Sequence, residues 1–315
     1  MTLTQLKYIV AVDNHKSFAK ASKRLFITQP TLSMQIKKLE NELGLLLFDR
    51  TRTPVMTTDI GLKVIKQARK TISESKEILD IIKNESNQIS GSFRLAVIPT
   101  IAPYLLPRFL EDFIENNKEL ELTIEELQTE KIVDGIRKDE IDAGIVATPL
   151  GYKDITEMPV YYEPFYAYIS PKHRLFKAEK VSMKDINVND VWLLKEGHCF
   201  RDQVISICSS NKEKNSKEKR LLNFEGATLE TLIRMVEGNF GMTLIPHLLA
   251  KELQLTDKRK LIREFKKPIP KREISIIFQR SFLKRKIIHK IQEEIIKQLS
   301  NELIRKKSGY VVELY

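Results

Sequence analysis

Ser17-Phe18-Ala19-Lys20-Ala21-Ser22-Lys23-Arg24-Leu25-Phe26-Ile27-Thr28-Gln29-Pro30-Thr31-Leu32-Ser33, carried on through Ile36-Lys37-Lys38-Leu39-Glu40 to Leu43-Gly44, is the stretch on which the reading of the chain turns. Ser17 is placed to cap a helix carrying Phe18, Ala21 and Leu25, which ends at the short turn Phe26-Ile27. Thr28 caps the next helix, with Pro30 in its first turn where a missing N–H costs little. Leu32, Ile36, Leu39 and Leu43 form one apolar stripe at helical spacing, and Gly44 supplies the C-terminal stop. Away from the stripe stand Gln29, Thr31, Ser33, Gln35, Lys37 and Lys38. Short hydroxyl and amide side chains beside lysines suit base edges in a major groove and the phosphates around it. Two helices joined by a tight turn, the second presenting such a face, make a helix-turn-helix. A three-helix bundle with a merely solvated polar face is the plain alternative.

Working outward, Leu3, Leu6, Ile9 and Val10 predict an amphipathic first helix. Phe48 to Thr58 reads as a β-ribbon wing that sets Arg50 and Arg52 for phosphates, so residues 1–58 form one DNA-reading unit. The charge agrees: of a net +11, residues 1–70 hold thirteen Lys/Arg against five Asp/Glu, which points to a polyanionic partner. Asp59 caps a long helix in which Gly61, Ile65, Ala68, Ile72, Ser75, Leu79 and Ile82 repeat with 4,3 spacing, the period of a coiled-coil seam. Ile65, Ala68, Ile72, Leu79 and Ile82 are therefore expected to pair two chains, and a two-fold dimer suits a reader of two half-sites. An amphipathic helix packed on its own domain is the alternative. Residues 59–90 make up this linker and its polar hinge.

From residue 91 to 315, strands and helices alternate. Phe93–Ile98, Leu120–Leu127 and Ala143–Val146 read as strands, Tyr104–Glu115 and Ile132–Lys138 as helices. A second set brings Leu221–Phe224, a helix near Thr228–Glu237, strands Met242–Ile245 and Ile274–Phe278, and a basic helix from about Lys284 to Lys306. This is α/β patterning with a mainly parallel sheet. Ligands in such folds sit beyond the carboxyl ends of strands, where Thr100, Thr129 and Cys199 are expected to meet in one cleft. Both cysteines lie in Gly197-His198-Cys199-Phe200-Arg201-Asp202-Gln203-Val204-Ile205-Ser206-Ile207-Cys208. Gly197 breaks the chain, and a helix starting near Cys199 favours its thiolate, with His198 able to add a proton or charge. Along that helix Cys208 lies roughly 13 Å from Cys199, beyond the roughly 7 Å a disulfide tolerates. The pair is either two buried small hydrophobes or a switch that must unwind its own helix. No secretory leader and no apolar run of about 18 residues is seen, and two cysteines suit a reducing cytosol. A cytoplasmic protein with no membrane contact is expected.

The opening stretch, with Phe48-Asp49-Arg50 and Thr57-Thr58-Asp59-Ile60-Gly61, resembles the N-terminal signature of LysR-type transcriptional regulators. The resemblance narrows to their peroxide-sensing OxyR branch through Ile98-Pro99-Thr100 to Pro107, Gln128-Thr129, the His198-Cys199 segment with Cys208, and Thr228 to Pro246. It implies a winged helix-turn-helix with Gln29, Pro30, Thr31, Ser33, Gln35, Lys37, Arg50 and Arg52 at DNA, then a linker helix. A two-lobed, periplasmic-binding-protein-like domain follows, lobe I at about 91–161 and 270–315 and lobe II at about 162–269. It implies that Cys199 attacks hydrogen peroxide and Cys208 resolves it to a disulfide, with Thr100, Thr129, His198 and Arg272 binding peroxide or activating the thiolate. The implied partners are operator DNA, RNA polymerase, a cytosolic thiol reductant and further copies in a homodimer or homotetramer. Ala102, where the family has glycine, the charged stretch 211–220 and the tail Gly309–Tyr315 depart from the pattern. A metabolite-responsive regulator of the same fold is the nearest alternative. A thiol peroxidase would leave the DNA-reading helix idle, and a cysteine phosphatase would need an arginine where Ile205 stands. His198, Cys199 and Cys208 lack a fourth metal ligand, so neither metal, cofactor nor enzymatic turnover is expected.

Overall fold

The computed structural model describes residues 1–84, 89–209, 225–226, 228–279, 284–299, 303 and 310–312. They fall into two compact units that part after the long linker helix. The first contains α1 (Leu3–His15), α2 (Phe18–Arg24), α3 (Gln29–Leu43), a ribbon of β1 (Phe48–Asp49) antiparallel to β2 (Met56–Thr57), and α4 (Asp59–Asn84). Each early helix has its own start signal: a capping box at Thr2, Ser17 accepting from the Lys20 N–H, and Thr28 accepting from the Thr31 N–H at 3.3 Å. Gly44 ends α3 in the left-handed conformation, φ 68°, that a side chain resists. The buried face of α1 is Leu6, Ile9, Ala11 and Val12, whereas Leu3 is exposed.

The seam reading is corrected in its first half. Ile65, Ala68 and Ile72 are buried in this unit's own core with Ile9, Val12, Phe18, Leu32, Ile36 and Leu39. An apolar side chain already out of water in one chain has nothing left to offer a partner. The side chains of Leu79 and Ile82 lie outside the described residues. A polar clasp holds the same packing. Asp13 accepts from Lys16 Nζ at 2.6 Å, Thr57 Oγ1 at 2.7 Å and Arg69 Nη2 at 2.8 Å, tying α1, the ribbon and α4 together.

The second unit contains β3 (Gly91–Val97), α5 (Ala102–Glu115), β4 (Leu120–Glu126), α6 (Thr129–Arg137), β5 (Ala143–Thr148) and β6 (Ile155–Ile169). It continues with β7 (Lys180–Val181), β8 (Leu193–Leu194), α7 (Cys199–Ser209), β9 (Glu225–Gly226), α8 (Leu229–Glu237), β10 (Met242–Pro246), α9 (His247–Gln254), β11 (Ile262–Phe265), β12 (Pro270–Gln279), α10 (Arg285–Lys297) and β13 (Tyr310–Val311). The sheet is mixed, which corrects the expectation of a mainly parallel one. Strands β4, β3 and β5 run parallel, but β12 is antiparallel to both β5 and β6, and β10 and β11 are antiparallel to β6. The cause is β6, fifteen residues long. Its first part pairs with β12 and its last five residues with β10, so one strand runs through both halves of the unit. Every residue of β5 is buried, as a strand covered on both faces requires, while edge strand β4 alternates.

The expected strand Leu221–Phe224 and the stretch 211–220 lie outside the described residues, as does most of the chain beyond Leu299. The tail, left unassigned from sequence, contributes β13, parallel to β12 at Pro270–Lys271, and Val312 is buried in the core beneath α7. Ala102 opens α5 with its N–H bonded to the Ile98 carbonyl at 3.0 Å, a geometry that does not call for glycine.

Candidate functional site

In the first unit, Gln29, Pro30 and Lys37 are exposed on α3, and Thr31, Ser33 and Gln35 are half-buried along its sides. Arg50 departs from the expectation of a free phosphate anchor. It stacks 4.9 Å over the Phe18 ring, donates to Ser33 Oγ at 3.1 Å and pairs with Glu40 at 2.7 Å. Glu40 is buried and also accepts the Leu47 and Phe48 N–H groups at 2.8 and 3.3 Å. A carboxylate so placed needs its cation, so Arg50 braces the wing against α3. Arg52 is exposed and pairs with Asp49 at 3.2 Å.

In the second unit, Cys199 is the first residue of α7. Gly197 reaches that start with φ 88°, and a Cβ there would meet the Gln128 carboxamide at 3.1 Å. Ile98, Pro99, Thr100, Gln128, Thr129, Gly197, His198, Cys199 and Phe200 line one recess of about 180 Å³ including its open mouth. Thr100 follows β3, and Thr129 is the first residue of α6. Thr129 Oγ1 donates to Cys199 Sγ at 3.5 Å. Arg272, in β12, is fully buried and donates to Thr100 Oγ1 at 2.9 Å and to the Thr100 carbonyl at 3.2 Å. Its charge is met by Glu163 at 2.7 Å, whose other oxygen accepts the Leu248 N–H at 3.0 Å. The guanidinium also lies 5.1 Å over the Phe200 ring. Thr100, Thr129, His198, Cys199 and Arg272 thus come from four separate segments into one neighbourhood. Cys208 does not join them: it is buried lower in α7, among Phe200, Val204 and Ile207.

The electrostatics revise the expectation of a thiolate at rest. Burial pushes the Cys199 thiol above its ordinary value, against the Thr129 hydrogen bond, the Arg272 charge and a backbone hydrogen bond from Ala147. His198 moves the other way: burial, then Lys195, lowers its pKa, so it stands neutral at pH 7 and offers one ring donor and one acceptor, not charge. Burial with the nearby Asp190 pushes Cys208 up to about 12, which leaves it a poor nucleophile inside the folded helix.

Gln203 escaped the sequence reading. It is fully buried one helical turn below Cys199, and among the described residues neither its amide oxygen nor its amide nitrogen has a hydrogen-bond partner. The i, i+4 spacing from Cys199 was the available signal. Glu163 gave none, being 109 positions from the arginine it neutralises.

Comparison with known proteins agrees with both units. Residues 3–62 match the model of the bacterial regulatory helix-turn-helix protein, lysR family, and residues 86–297 the LysR substrate binding domain. A hydrogen peroxide-inducible genes activator of Dickeya chrysanthemi is 31% identical over 280 residues, covering 89% of this chain and 90% of its own. The DNA-binding transcriptional dual regulator OxyR of Escherichia coli is 32% identical over 279 residues, covering 89% and 90%. Among solved structures, a full-length OxyR from Pseudomonas aeruginosa with a cysteine-to-aspartate change superposes with a TM-score of 0.74 at 31% identity, over 94% of this chain and 98% of that one. A cysteine-to-serine mutant of OxyR from Corynebacterium glutamicum with hydrogen peroxide bound gives 0.61 at 26% identity, over 94% and 92%. With a helix-turn-helix unit and a regulatory unit both matched, the chain belongs to the LysR family of bacterial regulatory proteins.

Proposed function

We propose that this DNA-binding regulator senses hydrogen peroxide through Cys199 and stores the signal as a Cys199–Cys208 disulfide. The observation that carries the reading is the thiol at the start of α7, hydrogen-bonded by Thr129 and lining one narrow recess with Thr100 and His198. The names of the relatives and neighbours support it.

In the proposed first step the Cys199 sulfur attacks one peroxide oxygen; an S–O bond forms and the O–O bond breaks. The thiol proton passes to the departing hydroxide, which leaves as water, and the cysteine is oxidised by two electrons to a sulfenic acid. Thr129 stands beside the sulfur to relay that proton, and the hydroxyl of Thr100, the amide of Gln203 and neutral His198 supply further hydrogen bonds. Arg272 acts through Thr100, which it fixes, and through its field on the thiol. In the second step the Cys208 sulfur attacks the Cys199 sulfur and a second water leaves. A cytosolic dithiol reverses the bond.

Residues 1–58 then read operator DNA, 59–90 pair two chains through the later part of α4, and 91–315 sense. RNA polymerase is the implied recipient of the signal and the cytoplasm its place. The test is mass spectrometry of the Cys199 and Cys208 peptides before and after a small molar excess of peroxide, with DNA binding measured on the same samples. Cys199→Ser should abolish oxidation and response alike, and Cys208→Ser should leave a trappable sulfenic acid. A Cys199→Ser protein that still answers peroxide would overturn the proposal, and a wild-type protein indifferent to peroxide would favour a metabolite-responsive regulator.

A further inference from the structure

The exposed face of α3 is centred on a residue that sequence spacing passed over. At about 100° per residue, Met34 points roughly 170° away from the middle of the buried Leu32–Ile36–Leu39–Leu43 stripe, and it is 60% exposed. Gln29, Ser33 and Gln35 stand only roughly 50° to 90° from that stripe, on the flanks. Two of the flanking hydroxyls are already engaged within the unit, Thr31 with Thr28 at 2.8 Å and Ser33 with Arg50 at 3.1 Å. Lys37 and Lys38 are exposed on either side of Met34, and Pro30 lies one turn before it. A thioether therefore sits in the middle of a polar, basic face.

Isolated apolar side chains on a surface are ordinary. The position is what gives this one a use: a major groove floor offers hydrogen-bonding edges and one apolar group, the C5-methyl of thymine. Met34 carries no donor and at best a weak acceptor, so facing a guanine or cytosine edge it would leave that edge unpaired. We propose that Met34 is a specificity-determining residue that packs on a thymine methyl in each half-site, with Lys37 and Lys38 holding the flanking phosphates and so the depth of insertion. This rests on α3 being the DNA-reading helix and adds which base it selects there.

The test uses the full-length protein and a pool of duplexes with a randomised core. The sequence selected from the pool is remade with deoxyuridine in place of thymidine, one position at a time, which removes a methyl and leaves every hydrogen-bonding group. The expected result is one position per half-site at which losing the methyl weakens binding by about threefold to tenfold. Met34→Ala should lose that penalty and keep its sensitivity elsewhere, and Met34→Leu, still apolar, should retain it. Equal tolerance of deoxyuridine at every position, or the same penalty in Met34→Ala, overturns the proposal while leaving the DNA-reading helix in place. Failure to enrich any duplex overturns both. Thermal melting of the variants checks that a substitution at so exposed a position leaves the unit folded.

Discussion

On the Cys199 proton two influences oppose each other. Burial holds it on the sulfur, while Thr129, Arg272 and the Ala147 backbone favour its loss, and the balance lies on the side of the thiol. The thiolate fraction therefore keeps growing as pH rises past the ordinary cysteine value of about 8.5. Alkylation of Cys199 should accelerate steadily from neutral into alkaline solution, and a plateau near pH 7 would show that burial does not dominate. Thr129→Val removes the direct donor, so it should shift that profile further alkaline and slow oxidation by peroxide about tenfold or more. Gln203 makes a second prediction at this scale. Both its amide atoms are buried and, among the described residues, unpartnered, a state that costs about 1–3 kcal/mol. Gln203→Leu, similar in size and apolar, should raise the melting temperature of the reduced protein yet slow the peroxide reaction. A lower melting temperature would mean that the amide is held by a partner and is part of the scaffold. The motif containing Gln203 was legible in sequence, but its orphaned amide was not, because satisfaction depends on neighbours the chain brings from elsewhere.

The elements of the first unit were legible because their signals are local: a capping hydroxyl, an apolar stripe, a glycine stop. The linker helix was misread for a reason that is also local. Over the short span from Ile65 to Ile72, periods of 3.5 and 3.6 drift apart by only about 20° per heptad, so one row of apolar residues fits a partner helix or the helix's own domain equally well. Burial decides for the domain. Ile72→Ala should cost the first unit about 2–4 kcal/mol, and Ile72→Asp, burying an unpaired charge, should unfold it and not merely separate two chains. Circular dichroism beside sedimentation distinguishes the outcomes: folded monomers would restore the seam. The Asp13 clasp gives α4 a pH dependence. Burial pushes the Asp13 carboxyl up, but its hydrogen bonds from Lys16, Thr57 and Arg69 together outweigh that and leave it below the ordinary carboxylate value. A carboxylate lowered in the folded state stabilises fully above its unfolded pKa, about 3.9, and loses that contribution as pH falls through the lowered folded value. Asp13→Asn should accordingly destabilise at neutral pH and flatten the acid limb of the melting curve. Parallel curves for the two proteins would remove the clasp from the account.

Across the whole molecule, the strand-end positions of Thr100 and Thr129 could be read from βα alternation, whereas the Glu163–Arg272 pair and the return of the tail to β12 could not. Those depend on β6 running through both halves of the unit and on β12 pairing beside its first part and with β13, a long-range arrangement with no mark in either strand's own pattern. The same arrangement sets the energetics of the proposed switch. Along an intact α7 the two cysteines are roughly 13 Å apart, so a disulfide requires the helix to open. Opening withdraws Phe200, Val204 and Ile207 from a core they share with Phe165, Leu232 and the tail residue Val312. Each such side chain stabilises the closed helix by about 1.5–3 kcal/mol, and the disulfide has to outweigh their sum. Weakening the closed packing should therefore favour the oxidised form. Val204→Ala, a loss of about 1–3 kcal/mol, leaves both cysteines and the recess untouched. Its disulfide should have a reduction potential more negative by about 30 mV for every 1.4 kcal/mol lost, read by mass spectrometry across a series of thiol–disulfide buffers. An unchanged potential in a Val204→Ala protein whose reduced form melts lower would mean that α7 stays packed in the oxidised state, and the refolding step would fall.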